Sequence, residues 1–187
     1  MEEPGLTVDV LYQDIKKLET EALVVGFFED IRPLKDVAGE LDWLLCGALS
    51  ALLLGKRVRG SLGDVALLTS QGKVPAQKIF MIGLGRRAGI TPAQVRSAAR
   101  IAAAGATRAG VGRMAVECFH ASEAVGENDI TALLEGLTEG AEDRALDASL
   151  LAPDATSYEK IQRQLKSWLS GEKKREHHGA KQAQVLG

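Results

Sequence analysis

Three histidines, two cysteines and twenty-five carboxylates are the side chains of this 187-residue sequence from which acid–base, nucleophilic or metal chemistry could be built. Their spacing limits what they can do together. His177 and His178 are adjacent near the C-terminus and His120 stands alone. No His-Glu-x-x-His pair therefore shares a helix face to hold zinc. Cys46 and Cys118 lack paired-cysteine spacing; both lie in apolar surroundings and are expected to be buried thiols rather than a disulfide. No Gly-x-Ser-x-Gly nucleophile elbow is present, and the carboxylates form no recognisable ligand set for two divalent ions. No catalytic or metal residue is assigned, and no cofactor is expected. His120 follows a strand, where catalytic groups of α/β folds often sit, but as an isolated imidazole it reads as a surface histidine.

The second candidate is Gly83-Leu84-Gly85-Arg86-Arg87-Ala88-Gly89. Glycines after a strand let backbone N–H groups approach a phosphate, and Arg86 and Arg87 would add positive charge. The helix that follows is capped at Thr91, however, so the glycines do not open it as a dinucleotide fingerprint requires. A structural turn is the first reading. An anion or nucleotide loop made by Gly83, Gly85, Arg86 and Arg87 is the second.

These residues must be positioned by alternating strands and helices. Residues 6–12 alternate Leu6, Val8, Val10 and Tyr12 with polar neighbours, a strand with one wetter face near a sheet edge. Ala22 to Phe28 is apolar on both faces, as an interior strand must be. Leu34, Val37, Leu41, Leu44, Leu45, Ala48 and Leu52 fit one long helix. Val65–Thr69, Lys78–Gly83 and Met114–Phe119 read as strands. Thr91, Pro92 and Gln94 open an alanine-rich helix with a capping box, which stops at Gly110 and Gly112. Ile130–Leu137 is a helix behind Asn128 or Asp129. This order predicts an α/β domain with a largely parallel or mixed sheet.

From Ala145 to Pro153 the chain reads as a linker. Thr156 and Glu159 then form a second capping box for a helix with Tyr158, Ile161, Leu165, Trp168 and Leu169 on one face. Ser170-Gly171 weakens or ends it, and the polar residues 172–187 are expected to fray. Docking of this helix on its own domain is the first reading, and exchange or pairing in a homo-oligomer the second.

The net charge is −2, so the chain as a whole is no polyanion binder. The charge is unevenly spread: Glu117 to Glu159 carries eleven acids and one base, whereas Lys160 to Gly187 carries seven bases and two acids. With 4% aromatic residues there are few platforms on which bases could stack, which disfavours nucleic-acid binding through the basic tail. The longest apolar run, Leu44 to Leu54, is too short to span a bilayer, and Met1-Glu2-Glu3-Pro4 does not begin a signal peptide. The expected compartment is the cytoplasm, with no membrane partner.

The ordered set Ala22-Leu23-Val24-Val25-Gly26-Phe27-Phe28-Glu29, Leu41 with Gly47-Ala48-Leu49-Ser50, Gly60 to Leu68, Lys78-Ile79-Phe80-Met81-Ile82-Gly83-Leu84-Gly85, Thr91-Pro92 and Leu133-Leu134-Glu135-Gly136-Leu137 resembles the N-terminal domain of the cytosol leucyl aminopeptidase family. The likeness covers about residues 5–140. It implies a three-layer α/β/α, macro-like fold for residues 1–145, followed by a linker, an amphipathic helix and a basic tail in 146–187. The family's two-metal catalytic domain and its Asn-Thr-Asp-Ala-Glu-Gly-Arg type motif are not found in this sequence, so no catalytic residue carries over. The resemblance implies a stand-alone, non-catalytic relative with an interaction, assembly or regulatory role, acting on a protein partner or in a homo-oligomer. The alternative is a macro-like module that binds a nucleotide or ADP-ribose and could hydrolyse it.

Overall fold

The computed structural model describes residues 5–120, 126–142 and 144–185, with side chains as far as 171. Strands β1 (Leu6–Leu11), β2 (Ala22–Phe27), β3 (Val65–Thr69), β4 (Lys78–Gly83), β5 (Arg113–Glu117) and β6 (Leu146–Leu151) form one sheet in the order β1-β6-β5-β2-β4-β3. Every neighbouring pair is parallel except β3 with β4. The doubly apolar sequence of β2 explains its central place. Ala22 and Val24 enter the core on one face, and Leu23, Val25 and Phe27 enter the core on the other.

Helices α1 (Asp36–Leu44) and α2 (Ala48–Leu54) cover one face. Helices α3 (Pro92–Arg108), α4 (Glu127–Ala141) and α5 (Ala155–Val185) cover the other. The expected capping box of α3 is present: the Gln94 N–H donates to the Thr91 hydroxyl and the Thr91 N–H donates to the Gln94 side chain. Among the described residues no single helix is long and apolar enough to cross a membrane.

Several expectations are corrected. The single helix over 34–52 is two helices bent by 105°, because Cys46 and Gly47 take left-handed conformations with φ of 56° and 81°. The Asp42 carboxylate restarts the helix there, accepting the Leu49 and Ser50 N–H groups at 2.9 Å. Cys46 consequently sits exposed at the corner, while Cys118 is buried as expected. The segment read as a linker is β6, inserted between β1 and β5. Its Leu146, Ala148 and Leu150 alternate inward against Asp147 and Ser149, a period of two muted by small residues.

The start of α5 also differs. Asp154, not Thr156, accepts the Ser157 N–H at 2.7 Å and the Ser157 hydroxyl at 2.8 Å. The α4 start falls at Gly126, ahead of Asn128 and Asp129. Helix α5 runs through Ser170-Gly171 to Val185. Ile161 and Leu165 are buried in the chain's own core, Tyr158 and Trp168 pack half-buried against it, and Leu169 stays exposed. The apolar stripe is therefore largely taken up within its own domain, against α4 and β1. The side chains of His177 and His178 lie outside the described residues.

The tightest helix pair is α3 with α4. Buried alanines Ala98, Ala99, Ala102, Ala103 and Ala106 line α3, and Gly136 and Gly140 of α4 meet them without side chains. A Cβ at Gly136 would press on the Arg96 carbonyl and lie 2.8 Å from the Ala99 Cβ. At Gly140 it would press on the Arg100 carbonyl and lie 2.9 Å from the Ala103 Cβ. Arg96 also reaches across to Glu135 and Glu139. Alanine is the better helix former by about 1 kcal/mol, but overpacking against backbone costs about 1–3 kcal/mol. Gly136→Ala and Gly140→Ala should each lower stability in urea denaturation. A stabilised variant at either position would contradict this packing.

Candidate functional site

The chain leaves the C-terminal end of β2 toward α1 on one face, and that of adjacent β5 toward α4 on the other. Such a divergence opens a crevice at the carboxyl edge of a parallel sheet. Register shows where it opens. The β2–β5 ladder pairs Ala22 with Met114, Leu23 with Ala115 and Val24 with Val116, and ends there. Beyond it the Gly26 N–H donates instead to the Glu117 carboxyl at 3.0 Å.

A cavity of about 450 Å³ lies over this point, lined by Tyr12, Asp14, Asp36, Glu40, Glu117 and His120 among others. A tighter recess beside it shares Asp36, Glu117 and His120 and continues under Gly26, Phe28, Leu84 and Phe119. Asp36 begins α1 with φ of 54°, a left-handed conformation that is uncommon outside glycine. Pro153 closes the rim where α5 begins. Asp154 is held below the usual carboxylate range by the Ser157 backbone N–H and then its hydroxyl, with a smaller contribution from His120. His120, expected at the surface, is instead half-buried in the cleft wall.

The cleft's chemistry is carboxylate-rich. Burial pushes Glu117 up to about 8; the Gly26 N–H opposes that shift, and the charge of Asp36 adds to it. Near neutrality Glu117 therefore carries its proton, a neutral acid that can donate as well as accept. Burial, reinforced by Glu117, raises the neighbouring Cys118 thiol to about 12, which keeps it protonated and unreactive. Lys16 pairs with Glu40 at 2.7 Å on an exposed rim. Among the described residues no group of three or more His, Cys, Asp or Glu side chains is placed to hold a metal ion.

The Gly83–Gly89 loop borders this region, and most of its N–H groups are already engaged. Leu84 donates to the Phe27 carbonyl at 3.0 Å, Gly85 to Gly60 at 2.8 Å, Arg87 to the Asp30 carboxylate at 2.9 Å and Gly89 to Arg86 at 3.1 Å. Gly83 is packed so closely that a Cβ would press on the Ser61 carbonyl and lie 2.9 Å from the Asp64 Cβ. Gly85 needs its freedom, with φ of 78°. Arg86 stands exposed, 3.8 Å from Asp30, and Arg87 lines the recess. Of the four loop residues expected around an anion, only Arg87 reaches the cleft lining.

Sequence reasoning passed over Glu117 and Asp36. The available signal was a single acid closing the otherwise buried strand Met114-Ala115-Val116, followed at once by buried Cys118 and Phe119. An unfolded glutamate ionises in the ordinary carboxylate range, whereas folded Glu117 keeps its proton to about 8. Between those values the native state binds the extra proton, so stability falls as pH rises through the window and levels off above it. Glu117→Gln should remove this slope. Its advantage in melting temperature over the parent should be small in the acid range and largest above about pH 8. Thermal denaturation across pH measures this, and parallel profiles for the two proteins would contradict it.

Residues 24–144 match the family model described as cytosol aminopeptidase family, N-terminal domain. A probable cytosol aminopeptidase of Geobacter sulfurreducens is 30% identical over 152 residues, which is 81% of this chain and 30% of that relative. Another, from Geobacter sp. strain M21, is 41% identical over 80 residues, covering 43% of this chain and 16% of the relative. The chain thus spans less than a third of the length of these relatives. Among solved structures, a tomato leucine aminopeptidase mutant superposes with a TM-score of 0.70 at 21% identity, covering 89% of this chain and 36% of that one. An Oceanobacillus iheyensis macrodomain with ADP superposes with a TM-score of 0.73 at 12% identity, covering 91% of this chain and 94% of that one. The two superpositions establish a shared three-layer, macro-like fold, and the match over residues 24–144 establishes kinship: the chain belongs to the N-terminal domain family of the cytosol aminopeptidases.

Proposed function

We propose that this chain is a non-catalytic assembly or regulatory module of the cytosol aminopeptidase type, which recognises protein through its α1–α2 corner and works in the cytoplasm alongside such enzymes. The observation that carries this reading is Trp43, 77% exposed at the end of α1. It borders an open groove of about 680 Å³ formed with Pro33, Leu34, Leu44 and Cys46. A large aromatic side chain left in water on a rigid helix end is the residue type that most often anchors a protein interface. Its place on α1 lies opposite the buried Ala38 and Leu41, next to the bend at Cys46-Gly47.

A second reading, binding of ADP or ADP-ribose, draws on the switch-point cleft and on the likeness to the macrodomain with ADP. It is placed second on electrostatic grounds. Asp14, Asp36 and Glu40 line the cavity and would repel a pyrophosphate, and most loop N–H groups that could offset them are engaged within the chain.

The two readings separate experimentally. Mixed with a full-length cytosol aminopeptidase of the Geobacter sulfurreducens kind, the chain should bind it and alter its leucine-p-nitroanilide turnover, while showing no manganese- or zinc-dependent turnover of its own. Trp43→Ala should weaken that association by about tenfold or more and shift stability by no more than about 0.5 kcal/mol. Isothermal titration calorimetry measures the first effect and thermal melting the second. Equal affinity for parent and variant would overturn the Trp43 reading. For the nucleotide reading, ADP and ADP-ribose should leave the melting temperature of the chain unchanged. A saturable rise in melting temperature, lost in Arg86→Ala with Arg87→Ala, would put nucleotide binding first.

A further inference from the structure

Strand β3 is the antiparallel edge of the sheet, and its outer side is built to pair. The Ser70 N–H donates to the Gln77 carbonyl at 3.0 Å, and the Gly83 N–H donates to the Asp64 carbonyl at 2.8 Å. Both bonds are made by even-numbered residues that flank this strand. Alternation along an antiparallel ladder then turns the N–H and C=O groups of Val65, Leu67 and Thr69 outward, away from β4. Their side chains are also exposed, Val65 by 42% and Leu67 by 51%. Natural sheet edges are usually blunted by lysine, proline, a bulge or a covering segment. Val65-Ala66-Leu67-Leu68-Thr69 has no charge and no proline, and its register with β4 is unbroken.

We propose that this edge pairs with the same edge of a second copy of the chain, antiparallel about a two-fold axis through Leu67. Three observations select a copy over another occupant. First, the outward groups are self-complementary: Leu67 faces its own counterpart, and Val65 faces Thr69 at both ends, so every outward donor meets an acceptor. Second, the uncharged strand places no like charges across the axis. Third, pairing continues the sheet, with flanking apolar side chains on both faces. Leu52 and Leu53 pack half-buried with Ala66 and Leu68 on one side, and exposed Leu62 adjoins the strand. One strand pair with these neighbours buries less than the roughly 1,600 Å² of a standard interface, so the dimer is weak and reversible. The pairing gives the assembly role proposed above a surface and rests on that role for its use, but its test reads a different surface from Trp43.

The experiment is amide hydrogen exchange by NMR on the full chain, with light scattering, from micromolar to millimolar protein. Dimer should form reversibly, and the Val65, Leu67 and Thr69 amides should gain protection in step with it. The Ala66 and Leu68 amides, bonded to β4, should be protected throughout. Leu67→Lys should raise the dissociation constant by about tenfold or more, while Trp43→Ala should leave it unchanged. The exchange pattern of the parent chain is decisive even if Leu67→Lys folds poorly. A chain monomeric at millimolar concentration would overturn the proposal. So would a dimer in which the three outward amides exchange freely, or one abolished by Trp43→Ala. Either outcome leaves the Trp43 binding test standing on its own.

Discussion

Between β2 and β5 a parallel ladder stops short, and the Glu117 carboxyl stands in for the next backbone partner by accepting the Gly26 N–H at 3.0 Å. Much of the architecture follows from that separation. The two strands part there, and beyond them β2 sends the chain to one face while β5 sends it to the other. The crevice exists because they part. Its floor then holds a half-buried carboxyl group, and its walls come from the segments that diverge: Phe28 to Asp36 on one side, Cys118 to His120 on the other. Gly26 is required at the same point, since a Cβ there would lie 2.6 Å from Leu84 Cδ1 and 2.9 Å from Phe119 Cδ1. The narrow recess depends on that missing side chain.

Electrostatics separates this crevice from a phosphate site on the same scaffold. Anion sites on α/β sheets use free backbone N–H groups at a glycine-rich turn and a positive or neutral floor. Here the turn after β4 ties most of its N–H groups to Phe27, Gly60, Asp30 and Arg86, so its glycines serve close packing and a left-handed turn. Asp14, Asp36, Glu40 and Glu117 line the crevice beside Lys35, Arg87 and His120, and burial favours the protonated form of Glu117. A fold shared with a macrodomain does not by itself bring that protein's ligand with it. The exposed aromatic at the α1–α2 corner and the unpaired β3 edge are instead surfaces whose chemistry suits protein.

Much of this was legible in the residues. Ala22 to Phe28 reads as interior because both of its faces are apolar, and β2 within it is central. Residues 6–12 alternate, and β1 within them is an edge strand. Thr91, Pro92 and Gln94 form the capping box that their spacing announces. The misses have local causes. The helix period runs unbroken through 34–52, and only the left-handed conformations at Cys46 and Gly47, with Asp42 as a remote cap, reveal the bend. In β6, Ala148 and Ser149 carry too little side-chain contrast for alternation to stand out, so an interior strand read as a linker. Glu117 was invisible because one acid at a strand end is commonplace. Its role depends on where β2 stops, which is a matter of tertiary pairing.

Near neutrality Glu117 sits uncharged at the point where β2 and β5 part. Carbon-13 NMR of its side-chain carboxyl, followed through a pH titration of the folded chain, tests that claim most directly. The geometry predicts a titration midpoint of about 8. A midpoint in the ordinary carboxylate range would mean that the carboxyl is solvated and charged near neutrality, and would contradict a neutral acid at this point.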